Sequence, residues 1–155
     1  MRDLELGGRL LDLEIKKEVV AAMGGKCNAL LMADRVIRED NGKRGIIGSF
    51  NTFNFPSFPF TAPPFLVYAN LEDFTGNHEF SVTIAREGAE LVVFSAGGEI
   101  HFQDENREAE ILVPAFGVTF PKEGAYNLIL RIGHSQYGSR RIIVNRLAMP
   151  QTGGV

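Results

Sequence analysis

Apolar and polar residues alternate along much of the chain from Cys27 onward. In the stretch HEFSVTIARE, Phe80, Val82 and Ile84 are separated by Ser81 and Thr83. A period of two residues is typical of a half-buried β-strand. Comparable runs recur at intervals of roughly 10–15 residues, which is a spacing found in antiparallel sandwiches. The pattern predicts a mainly β protein, an antiparallel β-sandwich of about eight strands with immunoglobulin-like or jelly-roll-like architecture. A barrel of about eight strands is the alternative.

Turn residues separate the predicted strands. The runs that predict strands are 29–39, 45–50, 65–72, 78–87, 89–96, 109–116, 126–132 and 140–147. Asn41-Gly42 is the strongest hairpin signal and joins the first two strands. Gly97-Gly98 is expected to end the fifth strand, so that residues 99–104 pair only briefly. Pro114 indicates that the sixth strand ends there or lies at a sheet edge.

The first 25 residues follow a different pattern. Leu11, Ile15, Val19 and Ala22 have helical spacing, and Gly24-Gly25 would end such a helix. A short amphipathic helix is one interpretation, and its apolar face would need a partner in this domain or another subunit. A flexible extension is the second, since isolated short helices are marginal in water, and a natural chain start at Met23, which opens the run MGGKCNALL, is the third. The expected organisation is an extension over 1–25, a sandwich domain over 26–149 and a flexible tail over 150–155.

The segment from Phe50 to Phe65 combines aromatic rings with prolines. It holds six of the twelve phenylalanines and four of the seven prolines. The prolines disfavour both a helix and a central strand, so we expect an ordered loop that covers an edge or one open end of the sandwich. This loop either plugs the core or contacts a protein partner. The candidate partner contacts are Phe53, Phe55, Phe58 and Phe60, and their exposure would distinguish the two interpretations.

Length and charge narrow the classes of function. A chain of 155 residues fits one domain. Its net charge of −3 gives no general attraction to nucleic acid or to an anionic membrane, so neither is expected as a partner. Cys27 is the single cysteine, which excludes an internal disulfide and suits a reducing compartment. With no apolar stretch long enough to span a bilayer and no signal core at its start, the chain is expected to be cytoplasmic.

Histidine spacing argues against a metal site or another cofactor. His78, His101 and His134 are separated by 23 and 33 residues, whereas metal sites commonly use closely spaced ligands. The sequence around His134 and Ser135 also fails as a nucleophile elbow, because Tyr137 stands where glycine is required. No catalytic, cofactor-binding or metal-binding residue is assigned, and the protein is not expected to be an enzyme.

Charged residues elsewhere give weaker hypotheses. The candidate carboxylates for acid–base chemistry or calcium binding are Asp3, Asp12, Glu14, Asp34, Asp40, Asp104, Glu105 and Glu108. No Asp-rich repeat supports calcium binding, and acidic turns are usually solvated. A modest basic cluster, which would suit a small anion or a nucleic acid, is formed by Arg131, Arg140, Arg141 and Arg146. A carbohydrate platform is disfavoured, because the chain has no tryptophan and its aromatic residues are mostly phenylalanine.

Several short motifs resemble those of a known family. They are Ala29 to Asp34, Gly42-Lys43, Ile46 to Phe50 and Phe58-Pro59. Together they resemble an uncharacterised family of small bacterial proteins, known only as a domain of unknown function. The resemblance covers mainly residues 28–72. It implies a β-rich domain and assigns no catalytic residue.

Two classes of function remain. We expect a non-catalytic interaction or assembly module that binds protein, including a second copy of itself. The alternative is a small-molecule-binding or metal-dependent enzymatic domain. It would need a concave pocket with convergent polar groups, drawn from His78, His101, Asp34 or Arg131.

Overall fold

The fold is a sandwich of two main β-sheets. The computed structural model describes residues 24–103 and 108–148, and the predicted N-terminal helix lies outside them. Every regular element in this part of the chain is a strand. In chain order the strands are β1 (Lys26–Arg38), β2 (Arg44–Phe50), β3 (Thr52–Phe55), β4 (Phe60–Thr61), β5 (Phe65–Glu72), β6 (Gly76–Arg86), β7 (Val92–Phe102), β8 (Glu108–Ala115), β9 (Thr119–Phe120), β10 (Gly124–Ile132) and β11 (Ser135–Arg146). The mainly β, antiparallel prediction is confirmed.

The first sheet has the strand order β2-β1-β5-β8, and the second has the order β3-β11-β10-β6-β7. A two-stranded sheet, β4-β9, completes the described part. All pairings are antiparallel except that of β3 with β11. The eight predicted strands correspond to the eight longer ones, and the three additional strands have only two to four residues.

The core lies between the two main sheets and follows from the alternation. On β10, Tyr126, Leu128, Leu130 and Ile132 are buried, while the residues between them are only partly covered. Burial of one such side chain contributes about 1.5–3 kcal/mol. The alternating pattern therefore decides which face of the strand meets the opposite sheet.

The first hairpin forms where the sequence predicts it. The Gly42 amide donates a hydrogen bond to the Glu39 carbonyl at 2.9 Å, and the Glu39 amide donates to the Lys43 carbonyl at 2.8 Å. Gly42 has φ +85°, a conformation that favours glycine. The Asn41-Gly42 turn is confirmed.

The predicted break at Gly97-Gly98 is wrong, because β7 runs through both glycines. A Cβ atom at Gly98 would lie 3.1 Å from the Phe80 ring on the neighbouring strand, and one at Gly97 would lie 2.9 Å from the Phe80 carbonyl oxygen. The two glycines therefore let β6 and β7 approach closely around this ring, as glycines in strand interiors often do. They continue the strand rather than end it.

The segment from Phe50 to Phe65, which we call the Phe/Pro segment, contains strands as well as loop. β3 precedes the first proline and extends the second sheet at its edge by pairing with β11. The prediction of an irregular loop is therefore wrong for Thr52–Phe55, because no proline interrupts those four residues. The expectation that this segment covers an edge is met, and Pro114 likewise lies on β8, an edge strand of the first sheet.

Candidate binding grooves

The four candidate contact rings differ in their exposure. Phe53 and Phe55 are 8% and 4% exposed and belong to the core, whereas Phe58 and Phe60 are half-buried. The Phe53 ring centroid lies 5.1 Å from that of Phe120 on the two-stranded sheet. Phe53 and Phe55 therefore expose little of their own surface to a partner in the isolated chain, because β3 turns them inward. A role of Phe58 and Phe60 in partner binding stays a prediction.

An apolar groove lies where the chain leaves β2 for β3. It has a volume of about 460 Å³ and adjoins a second depression of about 230 Å³. We call the two together the Asp34 groove, since Asp34, Pro64 and Phe65 line both. The other lining residues are Gly48, Ser49, Phe50, Thr52, Phe53, Asn54, Phe55, Pro63, Leu66, Pro114 and Phe116.

Asp34 is the one titratable side chain in this lining. It lies on β1 opposite Gly48 of β2, between the pairs that join Ala33 to Ser49 and Arg35 to Ile47. Gly48 has φ +70°, and a Cβ atom there would overlap the Asp34 carboxyl group. In the described part of the chain, no side chain forms an ion pair with Asp34. The glycine thus makes room for a carboxylate that faces a groove of mostly apolar residues.

An exposed apolar side chain borders the Asp34 groove just beyond the end of β8. Phe116 lines the groove and is 69% exposed, and Leu112, on the outer face of β8, is 43% exposed. Phe116 is the most exposed of the large hydrophobic residues in the described ranges. An exposed aromatic ring beside an apolar groove is a feature of many association sites.

A second, polar pocket lies on the outer face of the first sheet. It has a volume of about 530 Å³, and we call it the Tyr68 pocket. Its lining residues are Gly42, Lys43, Arg44, Tyr68, Asn70, Glu108, Ala109 and Glu110. The end of the β1–β2 hairpin supplies the first three, so the hairpin reaches across the sheet. Arg44 Nε donates to Glu110 Oε1 at 3.1 Å and fixes this contact.

Two side-chain amides, buried Asn70 and exposed Asn28, connect carboxylates at and beside the floor of the Tyr68 pocket. Asn28 Nδ2 donates to Asn70 Oδ1 at 3.0 Å, and Asn70 Nδ2 donates to Glu108 Oε1 at 2.5 Å. Glu108 is directly opposite Glu72 in the sheet, an arrangement of like charges that costs stability unless it is compensated. Asn28 also donates to Glu72 at 3.0 Å, so the amides offset part of the repulsion.

The hydroxyl of Tyr68 has an altered acidity. Burial raises its pKa above the ordinary value, and a hydrogen bond to the Glu110 carboxylate raises it further. Negative charge on Glu110 and Glu108 acts in the same direction, because it disfavours the phenolate. Tyr68 is therefore a neutral hydrogen-bonding group in this pocket around neutral pH.

The residues predicted for a small-molecule pocket do not converge. His78 packs its ring at 5.8 Å from that of Phe74 and bonds the Thr75 carbonyl oxygen through Nε2. His101 pairs with Asn77, and Arg131 lies on the outer face of the second sheet. Of this set, only Asp34 lines a groove that we describe. Across residues 24–103 and 108–148, no three His, Cys, Asp or Glu side chains are grouped so as to hold a metal ion.

The predicted arginine cluster is divided between different surroundings. Arg141 bonds Glu87 at 3.1 Å, and Arg146 lies 3.9 Å from Glu123 and over the Phe58 ring. Arg140 donates to the Leu30 carbonyl oxygen between the sheets. The four arginines therefore form no common anion site. Asp3, Asp12, Glu14, Asp104 and Glu105 lie outside the described residues.

Sequence reasoning missed the Tyr68 pocket. A signal was present, because Tyr68 and Asn70 are two residues apart on β5, and Glu108 and Glu110 are two apart on β8. Residues at this spacing share a face of a strand. The contribution of Lys43 and Arg44 could not be found in this way, because it depends on how the hairpin curls.

Comparison with known proteins identifies a family but no activity. No curated protein matches the chain. Two solved structures of β-glucosidase from Listeria innocua, in complex with isofagomine and with glucose, are similar, with TM-scores of 0.42 and 0.41 and 7% identity. The match covers 78% of this chain but 16% of the glucosidase, and similarity at this level says nothing about activity.

Among the described residues, no helix has a length and hydropathy suited to crossing a bilayer. The profile of a family of unknown function, DUF6941, matches residues 28–145, which span the sandwich from β1 almost to the end of β11. The chain belongs to the DUF6941 family.

Proposed function

We propose that this domain is a non-catalytic interaction or assembly module that binds an extended protein segment in the Asp34 groove. The supporting observation is the composition of the groove, in which mostly apolar walls surround one carboxylate. Burial of apolar surface from a partner supplies affinity at about 25 cal/mol per Å² before the cost of association. The Asp34 carboxylate supplies selectivity, because it favours a basic side chain in the bound segment.

The neighbouring strands suit this type of partner. β2 and β3 both border the groove, and each is the outermost strand of its sheet in the described part of the chain. Outermost strands offer backbone amide and carbonyl groups to an added strand. An extended segment would thus gain backbone hydrogen bonds while its alternate side chains enter the groove.

Location and partner are part of the same proposal. A reducing, cytoplasmic location suits a protein whose one cysteine, Cys27, is unpaired. The partner is a protein, and a second copy of this chain is the first candidate, since Phe116 lines the groove and is largely exposed.

Self-association tests the proposal directly. Size-exclusion chromatography with light scattering at several concentrations should show dimers or larger species for the full chain. Phe116→Ser and Asp34→Lys should each weaken association about tenfold or more. Val92→Ser is a matched control, because Val92 is 55% exposed on the second sheet, away from the groove. A chain that is monomeric at every concentration, or equal effects of Phe116→Ser and Val92→Ser, would contradict the proposal.

A second candidate function is the binding of a small polar molecule in the Tyr68 pocket. It is favoured by the pocket floor, where buried Asn70 and the raised pKa of Tyr68 coincide, since perturbed acidity in a concave site is a feature of many functional sites. Thermal-shift assays with a small amine and with a small carboxylate as probes would test it. An increase in Tm that disappears in Glu110→Gln would support it, and no increase with either probe would count against it.

A further inference from the structure

The strand β7 ends the second sheet on the side away from the Asp34 groove. The strand order places β3 at one edge of that sheet and β7 at the other. β7 has 11 residues, whereas β2, β3 and β8, the outermost strands at the other edges of the described main sheets, have seven, four and eight. The backbone groups along such an edge can pair with a strand from another chain.

The other outermost strands carry features that commonly prevent pairing between edges. Gly48, with φ +70°, interrupts the extended backbone of β2, and Pro56 follows the four residues of β3 directly. β8 contains two glutamates and Pro114. In contrast, β7 contains no proline or lysine, and Glu99 is its one acidic or basic residue apart from His101. β7 is therefore the edge that the sequence protects least.

The inward face of β7 is apolar and only half covered. Phe94 and Ala96 lie opposite Ile84 and Val82 of β6, which are fully buried, so these residues share the inward face. Phe94, Ala96 and Ile100 pack against the core but stay half-buried. The first sheet has one strand fewer than the second, which accounts for the incomplete cover over β7. A strand added beside β7 would bury more of this apolar face.

A second copy of β7 suits this edge. When two identical strands pair antiparallel about a two-fold axis, one residue lies opposite its own equivalent and sets the register. With Gly97 on the axis, Phe94 lies opposite Ile100 of the second copy, and Ser95 lies opposite Glu99 of the second copy. Inward apolar residues then meet inward apolar residues, and no charge lies directly opposite a like charge.

The charge of Glu99 favours Gly97 over Gly98 as the residue on the axis. Glu99 already lies opposite Glu79 of β6, an arrangement of like charges that costs stability. With Gly97 on the axis, the two copies of Glu99 are four positions apart along the strands, about 13 Å, which exceeds the Debye length of about 8 Å at physiological ionic strength. With Gly98 on the axis, two positions or about 7 Å would separate them.

We propose that the β7 strands of two copies pair antiparallel about a two-fold axis at Gly97 and join the two five-stranded sheets into one sheet of ten strands. The contact runs from Phe94 to Ile100. Val92 lies beyond the point at which β7 shifts its register against β6, so it takes no part. The inference goes beyond the proposed function, since the Asp34 groove at the opposite edge stays free in both copies.

Mixing of two single-cysteine variants tests the register. Both full-length variants carry Cys27→Ala, so that each has one thiol. The first also carries Ser95→Cys, and the second carries Glu99→Cys. Directly opposite residues have Cα atoms about 4.5–5.5 Å apart, which a disulfide can span. After mixing and mild oxidation, we expect a linked heterodimer in clear excess over the homodimers formed by either variant alone.

The matched control replaces Glu99→Cys with His101→Cys. Position 101 would lie opposite Ser95 if Gly98 were on the axis, so this pair should link much less. If Ser95→Cys links to His101→Cys as well as to Glu99→Cys, the register about Gly97 is overturned. If neither pair links, pairing through β7 is overturned.

Charges introduced at Ser95 test the same contact by sedimentation velocity. Ser95→Lys should strengthen dimerisation about threefold or more, because each copy then places a cation opposite Glu99 of the other, and Ser95→Glu should weaken it by a similar factor. Ser95 is exposed, so both variants should fold. Thr83→Lys and Thr83→Glu are matched controls, because Thr83 lies opposite Ser95 on β6, one strand further from the contact. Effects of the same sign for the two Ser95 variants, or equal effects at Thr83, would overturn the proposal.

The β7 contact and the Asp34 groove can be tested separately. The link between Ser95→Cys and Glu99→Cys should persist when both chains also carry Asp34→Lys and Phe116→Ser. If the link disappears, β7 makes no contact of its own and the inference is overturned. If the link persists while the groove changes have no effect on association, the proposed function fails and the β7 contact stands.

Discussion

Arg44 and Glu110 form an ion pair, Nε to Oε1 at 3.1 Å, although their strands β2 and β8 lie at opposite edges of the same four-stranded sheet. The contact is possible because the β1–β2 hairpin curls over the outer face of that sheet. The hairpin end then covers Tyr68 and Asn70, which are buried although they face away from the core. One ion pair thus helps to close a pocket outside the sandwich.

Arg44→Ala should loosen the hairpin end with little effect on global stability. Both side chains are about one-third exposed, and pairs of this type contribute about 0.2–1 kcal/mol to the free energy of unfolding. Hydrogen exchange should become faster at the amides of Glu39 and Gly42, while the core amides of β10 keep their protection. Lys26→Ala, which removes the exposed pair with Glu72 at the other end of β1, is the control. Unchanged exchange in the hairpin of Arg44→Ala would show that the ion pair does not hold it.

Tyr68→Phe should change how stability depends on alkaline pH. The folded protein holds the pKa of Tyr68 above its usual value of 10.0, so above that pH the unfolded chain releases the proton more readily than the folded one. The stabilising contribution is therefore complete below pH 10 and is lost as pH rises through the higher pKa of the folded state. Denaturant unfolding between about pH 8 and 11 should show a shallower loss of stability for Tyr68→Phe. An equal loss in both proteins would contradict the assignment.

Phe55→Ser should unfold or strongly destabilise the protein. Phe55 is 4% exposed, and its ring centroid lies 4.4 Å from that of Phe60. Replacement of a buried phenylalanine by a small residue typically costs about 3–5 kcal/mol, and serine adds a polar group. Phe116→Ser should change the free energy of unfolding by less than about 0.5 kcal/mol, because Phe116 is exposed. Chemical denaturation of both variants measures this difference, and similar stabilities would contradict the burial of β3.

Gly48→Ala should destabilise the fold in two separable ways. The residue has φ +70°, which costs an alanine about 1 kcal/mol or more, and the new methyl group would also collide with the Asp34 carboxyl group. Asp34→Gly should remove the collision but not the backbone strain. A double-mutant cycle of unfolding free energies should therefore show partial rescue. Strict additivity of the two changes would indicate that Asp34 moves aside freely.

The sequence predicts the long strands better than the surface features. On β10, each inward residue is large and apolar, so a two-residue period is sufficient to assign its buried face. At Gly97-Gly98 the same reasoning fails, because the close approach to Phe80 depends on a neighbouring strand. The sequence also does not predict β3, because prolines follow this short strand and its partner, β11, lies near the other end of the chain.

The candidate sites depend still more on three-dimensional relationships. The sequence makes Asp34 a candidate, but its position in an apolar groove follows from the glycine opposite it and from the rings of residues 50–65. The Tyr68 pocket combines a hairpin end with two strands, and no local pattern predicts that contact.

The pairing of β3 with β11 has a consequence for the growing polypeptide. Asn54 and Asn145, bonded across these strands, are 91 positions apart. While the ribosome is still adding the C-terminal region, Phe53 and Phe55 have no edge on which to dock. Partly synthesised chains that expose such aromatic side chains are prone to aggregation. Prolines that flank hydrophobic stretches reduce this tendency. Pro56 follows β3 directly and Pro59 comes three residues later, where they would protect the nascent chain until β11 has been synthesised.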